Sequence, residues 1–343
     1  MGELPLGVKS ERPSRTTGAA RMEDVARLAG VAVVTVSRVL NDPDKVALTT
    51  REAVHQAIRK VGYVPNLVAG GLASNRSGMV AVVVPTITNS IFADTVQGVS
   101  DALEPVGHSI LLGQTGYDDS REQLLIATML GRRAEGLVVI GCSQTGAARQ
   151  LLRAARVPVV QTWDLVDDPI DLLVGFSNFD AGRAVTRHLL DRGYQRIAFL
   201  GGGDPRSFAR GLGFRAALNE RGLDPALHVE LASPAAIDAG SEALGQLMQT
   251  KPNVDAAFFA TDVFAAGALL ACGRAAVPVP GRLAIAGFGD LELARHMNLT
   301  TVRIRGYDIG RAAAEMVLAS LAGRTIASKV VDLGFEIIVR GTT

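Results

Sequence analysis

Few residues of this chain are spaced for catalysis. The five histidines, at 55, 108, 188, 228 and 296, stand far apart, and no serine, histidine and aspartate follow one another in an order suited to nucleophilic attack. Cys142 and Cys272 lie in apolar surroundings, and neither has a histidine or cysteine neighbour at metal-ligand spacing. GGGDP (201–205) follows an apolar run as a phosphate loop would. It lacks both the Gly-x-Gly-x-x-Gly spacing and the lysine of a P-loop. The expectation is a binding protein, not an enzyme, with no metal or cofactor. Two groups of residues have binding chemistry. Val33, Val34, Thr35, Ser37, Arg38 and Asn41 crowd into nine positions. Polar members of such a set contact phosphate oxygens and base edges, and apolar members contact thymine methyl groups. The second group sits after apolar runs: Asn89 and Phe92, then Gln161, Trp163 and Asp164, then Thr261 with Asp262, then Asp290. An aromatic ring beside a carboxylate suits a carbohydrate, although a phenylalanine at helical spacing is also what a core residue looks like.

The first group needs a helix to present it. Met22, Val25 and Ala26 recur at helical spacing, as do Val36, Val39 and Leu40, with Ala29-Gly30-Val31 between the two runs. Glycine takes a positive φ at no steric cost, so the pattern predicts two short helices joined by a tight turn. The second helix, near Val33 to Leu40, would enter the major groove. A third helix follows at about Thr50 to Val61, with Ala53, Val54, Ala57, Ile58 and Val61 inward, Gly62 ending it and Pro65 preventing resumption.

The second group needs a sheet. From Met79 onward, continuous apolar runs such as MVAVVVP, GLVVIG, VPVVQT and RIAFLG alternate with amphipathic helical stretches. Strands apolar on both faces imply parallel sheets covered by helices on both sides. The alternation breaks near Phe176 and resumes, which predicts two doubly wound subdomains. Ligands bind beyond the carboxyl ends of such strands, so two subdomains facing each other make a cleft.

Length and charge agree with this division. The chain has 343 residues, 48% of them hydrophobic and 20% charged, enough for a substantial core. Its net charge of +1 hides an asymmetry. Residues 1–77 carry eleven Lys/Arg against seven Asp/Glu, and the remainder twenty-four against twenty-seven. A basic head on a mildly acidic body suits a nucleic-acid-binding module joined to a sensing domain. No apolar run reaches a membrane span, and the amino terminus lacks the apolar stretch of a secretory signal. The expectation is a cytoplasmic protein, at the nucleoid when on DNA, with no membrane partner.

DVARLAGV followed by TVSRVLN closely resembles the amino-terminal signature of the lactose-repressor (LacI) family of bacterial transcription regulators. GFSNFDAG (175–182), AIAGFGD (284–290) and the tail around VVDLGFE resemble its gluconate-operon repressor branch. The resemblance implies a helix-turn-helix head plus a periplasmic-binding-protein-like α/β core of two parallel-sheet subdomains. The expected divisions are a leader over 1–20, the head over 21–65, a hinge over 66–77 and the core over 78–343. Within the core, one subdomain takes about 78–176 with 304–327, the other 177–303 with 328–343. The resemblance also implies a hinge helix containing Ala69, whose Leu72 wedges into the minor groove; Gly70-Gly71 beside it weakens that helix. It makes Arg210 the arginine that holds the effector. Where sugar-binding members carry an asparagine and an aspartate, this chain has Thr261 and Gly289. Loss of a cleft aspartate favours an anionic ligand, such as a sugar acid. The function implied is a homodimeric repressor of a carbohydrate operon, released from double-stranded operator DNA by a small effector. A corepressor would use the same cleft, and a solute-binding protein would share the core fold without the head. The absence of a heptad helix after FEIIVRGTT favours a dimer over a tetramer.

Overall fold

The computed structural model describes residues 20–64, 77–88, 90–141, 145–225, 227–231 and 235–343. The expected leader and hinge, with Ala69 and Leu72, lie outside the described residues, as does Asn89. The chain divides into two compact units, Met1–Asn75 and Arg76–Thr343.

The smaller unit holds α1 (Met22–Ala29), α2 (Val33–Asn41) and α3 (Leu48–Val61). Gly30 ends α1 at φ 66°, the left-handed conformation the turn requires, and Gly62 ends α3 in the same way. Val25, Ala26, Val36, Val39, Val54 and Ala57 form its buried centre, with Met22, Leu40, Ile58 and Val61 packed around them.

The larger unit opens with β1 (Met79–Val84), α4 (Ala93–Leu103), β2 (Ser109–Gln114), α5 (Asp119–Gly131), β3 (Gly136–Ile140), α6 (Gly146–Ala154), β4 (Val159–Thr162) and β5 (Leu172–Gly175). After the crossing at Phe176 come α7 (Asn178–Asp191), β6 (Ile197–Gly202), α8 (Pro205–Glu220), β7 (His228–Leu231), α9 (Ile237–Thr250), β8 (Ala256–Phe259), α10 (Asp262–Arg274), β9 (Ala284–Ala286), α11 (Glu292–His296) and β10 (Thr301–Arg303). The chain then returns through α12 (Gly306–Leu321) and β11 (Val330–Asp332), and finishes with β12 (Glu336–Ile338). One sheet has the order β11-β5-β4-β3-β1-β2 and the other β7-β6-β8-β9, every pairing parallel; β10 and β12 form an antiparallel ribbon. Buried runs such as Val80–Val84 and Leu137–Ile140 explain this, since only a strand covered on both faces is apolar at every position.

One expected boundary moves. The expected division gives residues 328–343 whole to the second subdomain, yet Val330 pairs with Leu173 and Asp332 with Gly175 in the first sheet. The last crossing therefore falls between β11 and β12, not near Ala327. VVD is a parallel edge strand of the first sheet, and the chain changes sheet only at Leu333-Gly334-Phe335.

Glycines set how closely the helices approach. A Cβ on Gly98 of α4 would lie 2.2 Å from the Tyr307 carbonyl oxygen, and one on Gly310 of α12 would lie 2.0 Å from that of Thr95. Gly182 and Gly213 hold α7 against α8 in the same manner, and Gly240 and Gly267 hold α9 against α10. Among the described residues, no helix is long and apolar enough to cross a membrane.

Candidate DNA-reading helix and effector cleft

α2 presents the first group of residues. Val36 and Val39 face the core, which turns Val33 and Val34 outward, 39% and 63% exposed. Arg38 is exposed and makes no ion pair among the described residues. Arg27, Lys45 and Arg51 are by contrast engaged with Asp24, Asp42 and Asp44. Asn41 donates through Nδ2 to the Ser37 carbonyl oxygen at 3.0 Å and to its Oγ at 3.3 Å, which orients both side chains along the helix. Thr35 and Ser37 are half-buried. No side chain caps the start of α2 and no acidic residue occupies its first turn. The positive end of that helix dipole is thus open to an anion.

In the larger unit a cavity of about 730 Å³ opens where strands of both sheets end. Val84 and Pro85 follow β1, Thr115 to Ser120 follow β2, Ile140 and Gly141 close β3, and Asp164 follows β4. From the second sheet come Gly203 to Arg206 after β6, and Glu230 and Leu231 of β7. Its ionisable walls are Asp118, Asp119, Glu122, Asp164, Asp204 and Glu230, with Tyr117 and one guanidinium, Arg206. The cleft expected to have lost negative charge has an ionisable lining made mostly of carboxyl groups, and Gly289 is not among its lining residues.

Asp204 caps α8, accepting from the backbone N–H of Arg206 at 3.2 Å and of Ser207 at 3.3 Å. Burial opposes its ionisation, but Arg206 and Arg210 outweigh that and hold its carboxyl below the usual range. Asp164 goes the other way: burial raises its pKa, against hydrogen bonds from Asn178 and Leu165 at 3.0 Å each. Burial likewise raises Tyr117. Arg210 lies behind the wall. Its Nη1 donates to Asn178 Oδ1 at 2.5 Å, its guanidinium carbon lies 4.2 Å from the Phe288 ring centroid, and burial lowers its pKa to about 10. It is still a cation at neutral pH. Asn178 also donates to Asp164, so Arg210 reaches the cleft wall through one amide.

Several expected ligand contacts turn out to be structural. Trp163 is 3% exposed and is not a platform at the rim. Its indole N–H donates to Thr95 Oγ1 at 2.9 Å, Thr95 donates onward to the Gly306 carbonyl at 3.0 Å, and its ring meets those of Phe92 and Phe176 edge-on. A φ of 75° at Trp163 turns the side chain back under the sheet. Phe92 is buried beneath Trp163 and Arg206, so it offers no open face to a sugar. Gln161 is wholly buried, its Oε1 accepting from the Ile170 N–H at 2.7 Å. Thr261 caps α10 through Oγ1. Asp262 is wholly buried, accepting from Thr301 Oγ1 at 2.5 Å and from the Leu291 N–H at 2.8 Å. Asp290 is gripped by Arg340 at 2.6 Å and Arg303 at 2.8 Å. None of these lines the cavity; of the expected effector residues Asp164 does, with Arg210 behind it. Tyr117, Asp118, Asp204 and Arg206 also line the cavity, where the strand-end rule reaches them through SILLGQ-TGYDD and RIAFLGG-GDPR; Glu122, inside α5, and Glu230, inside β7, line it from positions that rule does not reach.

The two units match different families. Residues 21–66 match the bacterial regulatory proteins of the lacI family, and residues 186–343 the periplasmic binding protein-like domain. The HTH-type transcriptional regulator GntR of Pseudomonas aeruginosa is 38% identical over 98% of this chain and 99% of its own length. The regulator of the same name from Escherichia coli K12 is 31% identical over 94% and 98%. A solved LacI-family transcriptional regulator from Silicibacter pomeroyi superposes with a TM-score of 0.89, at 32% identity, over 94% of this chain and 99% of that one.

Proposed function

This chain belongs to the LacI family and is a DNA-binding transcriptional regulator; from that premise we propose that it represses a carbohydrate operon and leaves its operator when a sugar acid enters the cleft. It acts without catalysis, in the cytoplasm. Two copies read a pseudo-palindromic site, each head facing one half-site, with the half-sites a helical turn of about 34 Å or a multiple apart. Val33 and Val34 contact thymine methyl groups, Arg38 takes a base edge or a phosphate, and Thr35, Ser37 and Asn41 fix the register. Ala69 and Leu72 act at the operator centre.

The observation that carries the effector half is the cavity at the strand ends of both sheets. Its carboxylates accept hydrogen bonds from hydroxyl donors, and Arg206 with Arg210 behind it supplies positive charge for an acid group. Gluconate has both features. Closure on the ligand shifts one subdomain against the other, and the coupling to DNA is reciprocal, typically about 1–3 kcal/mol. Fluorescence anisotropy of the protein on DNA from upstream of its own gene, with and without gluconate, tests the reading. Specific binding released by gluconate supports it. Specific binding that neutral sugars release and gluconate does not would overturn the sugar-acid assignment.

A further inference from the structure

Arg206 and Arg210 stand one turn apart on α8, yet only Arg206 lines the cavity. Arg210 is enclosed, with Nη1 on Asn178 and its guanidinium over the Phe288 ring, and its Nε is buried without an acceptor among the described residues. Arg206 is held from two directions. Its Nε donates to Asp204 Oδ1 at 3.3 Å, and its guanidinium carbon sits 5.0 Å from the centroid of Phe92, which precedes α4 below the first sheet. The side chain therefore leaves the second subdomain and rests on the first. Its Nη1 also approaches Gly141, where a Cβ would lie 3.3 Å from it. That Nη1 is buried without an acceptor among the described residues, in a residue only 8% exposed. An enclosed guanidinium nitrogen lacking an acceptor is costly, and an entering anion relieves that cost. The other charged groups of the wall are acids, which accept from hydroxyls and repel a second negative charge.

Resting on the effector reading above, we infer that Arg206, the guanidinium that lines the cavity, receives the carboxylate of a polyhydroxy monocarboxylic acid. It thereby sets the preference for an acid over the neutral polyol and over a phosphorylated sugar. Arg210 holds Asn178 and, through it, Asp164. The acid group is placed at the α8 end of the cleft, with the hydroxyl chain running toward Asp118 and Glu230.

The full chain carries a single tryptophan, Trp163, whose ring lies 5.0 Å from that of Phe92, directly beneath Arg206. Its fluorescence, with calorimetry alongside, reads titrations of D-gluconate, D-glucitol and 6-phosphogluconate. The unaltered protein is expected to bind gluconate most tightly. Arg206→Gln should weaken gluconate about 30-fold or more and bring it level with glucitol. Arg206→Lys keeps the charge without the planar fork, so it should lose about tenfold yet still prefer gluconate to glucitol; this variant guards against collapse of the cleft in the glutamine form. Gluconate bound as tightly by Arg206→Gln as by the unaltered protein would overturn the assignment of Arg206 and leave the effector reading standing. An unaltered protein that binds none of the three overturns both, and one that prefers 6-phosphogluconate overturns the monocarboxylate class.

Discussion

Asp262 makes the core of this protein less stable as the pH rises. Its carboxyl is wholly buried between α10 and the loop that follows β9, and burial, more than any other influence, raises its pKa from 3.8 to about 6. Hydrogen bonds from Thr301, Leu291 and Phe288 pull it down and the charge of Asp290 pushes it up, without reversing the direction. Between these two values the folded chain holds a proton that the unfolded chain has released, so stability falls with pH across that window. It is fully retained below about pH 4 and lost by pH 6 to 7. A shift of about two units is worth about 3 kcal/mol. Asp262→Asn should remove this dependence. The amide oxygen can still accept from the Leu291 N–H, while Nδ2 donates to Thr301 Oγ1, which reverses its role. Urea denaturation read by Trp163 fluorescence reports the larger unit, at pH 4 and at pH 7. The difference between variant and unaltered protein isolates Asp262 from the other titrating groups. The variant should gain about 2 to 2.5 kcal/mol relative to the unaltered protein on going from pH 4 to pH 7. Parallel stability curves for the two proteins would refute the buried-carboxyl argument.

Two further outcomes follow from packing and exposure. Val34→Ser should leave stability within about 0.5 kcal/mol, because the side chain is 63% exposed. Operator affinity should fall, and replacing the facing thymine by uracil should weaken the unaltered protein but not the variant; equal losses in both would sink the methyl contact. Trp163→Phe removes the indole N–H donated to Thr95 and empties part of a buried site. It should cost about 2–4 kcal/mol in denaturant titrations read by circular dichroism, whereas a tryptophan exposed at the rim would cost almost nothing.

The elements that position the site were legible wherever a pattern ran long enough to be read. Helical spacing gave α1 to α3 because the small unit buries only one stripe of each helix, and unbroken apolar runs gave β1, β3, β4 and β6 because both faces of those strands are covered. The short edge strands were harder. FEIIV marks β12, but β10 and β11 have three residues each, and neither alternation nor a continuous apolar run marks them. The final crossing, which the resemblance puts near Ala327, therefore has no pattern in the residues to correct it.

Inside the cleft, the strand-end rule reaches most of the loops that line the cavity but does not rank the residues within them. Trp163 stands at a strand end and belongs by position to the rim; a left-handed backbone at that one residue sends its ring into the core instead. Asp262 and Asp290 also follow strands, but Thr301 and Leu291 satisfy the first and Arg303 and Arg340 the second. A carboxylate already saturated by the fold has little left to offer a ligand. Arg206 and Arg210 show the limit most clearly. Residues four apart project only about 40° from one another around a helix of 3.6 residues per turn, so periodicity places both on the same face. What separates them is the rise of about 6 Å along the axis. That rise sets Arg206 at the helix start beside Asp204 and the strand ends, and Arg210 one turn deeper against Asn178 and Phe288. The difference between a guanidinium that lines the cavity and one enclosed behind its wall is therefore made by depth along α8. Depth is a property of the packed sheet beneath the helix, which spacing in the sequence does not carry.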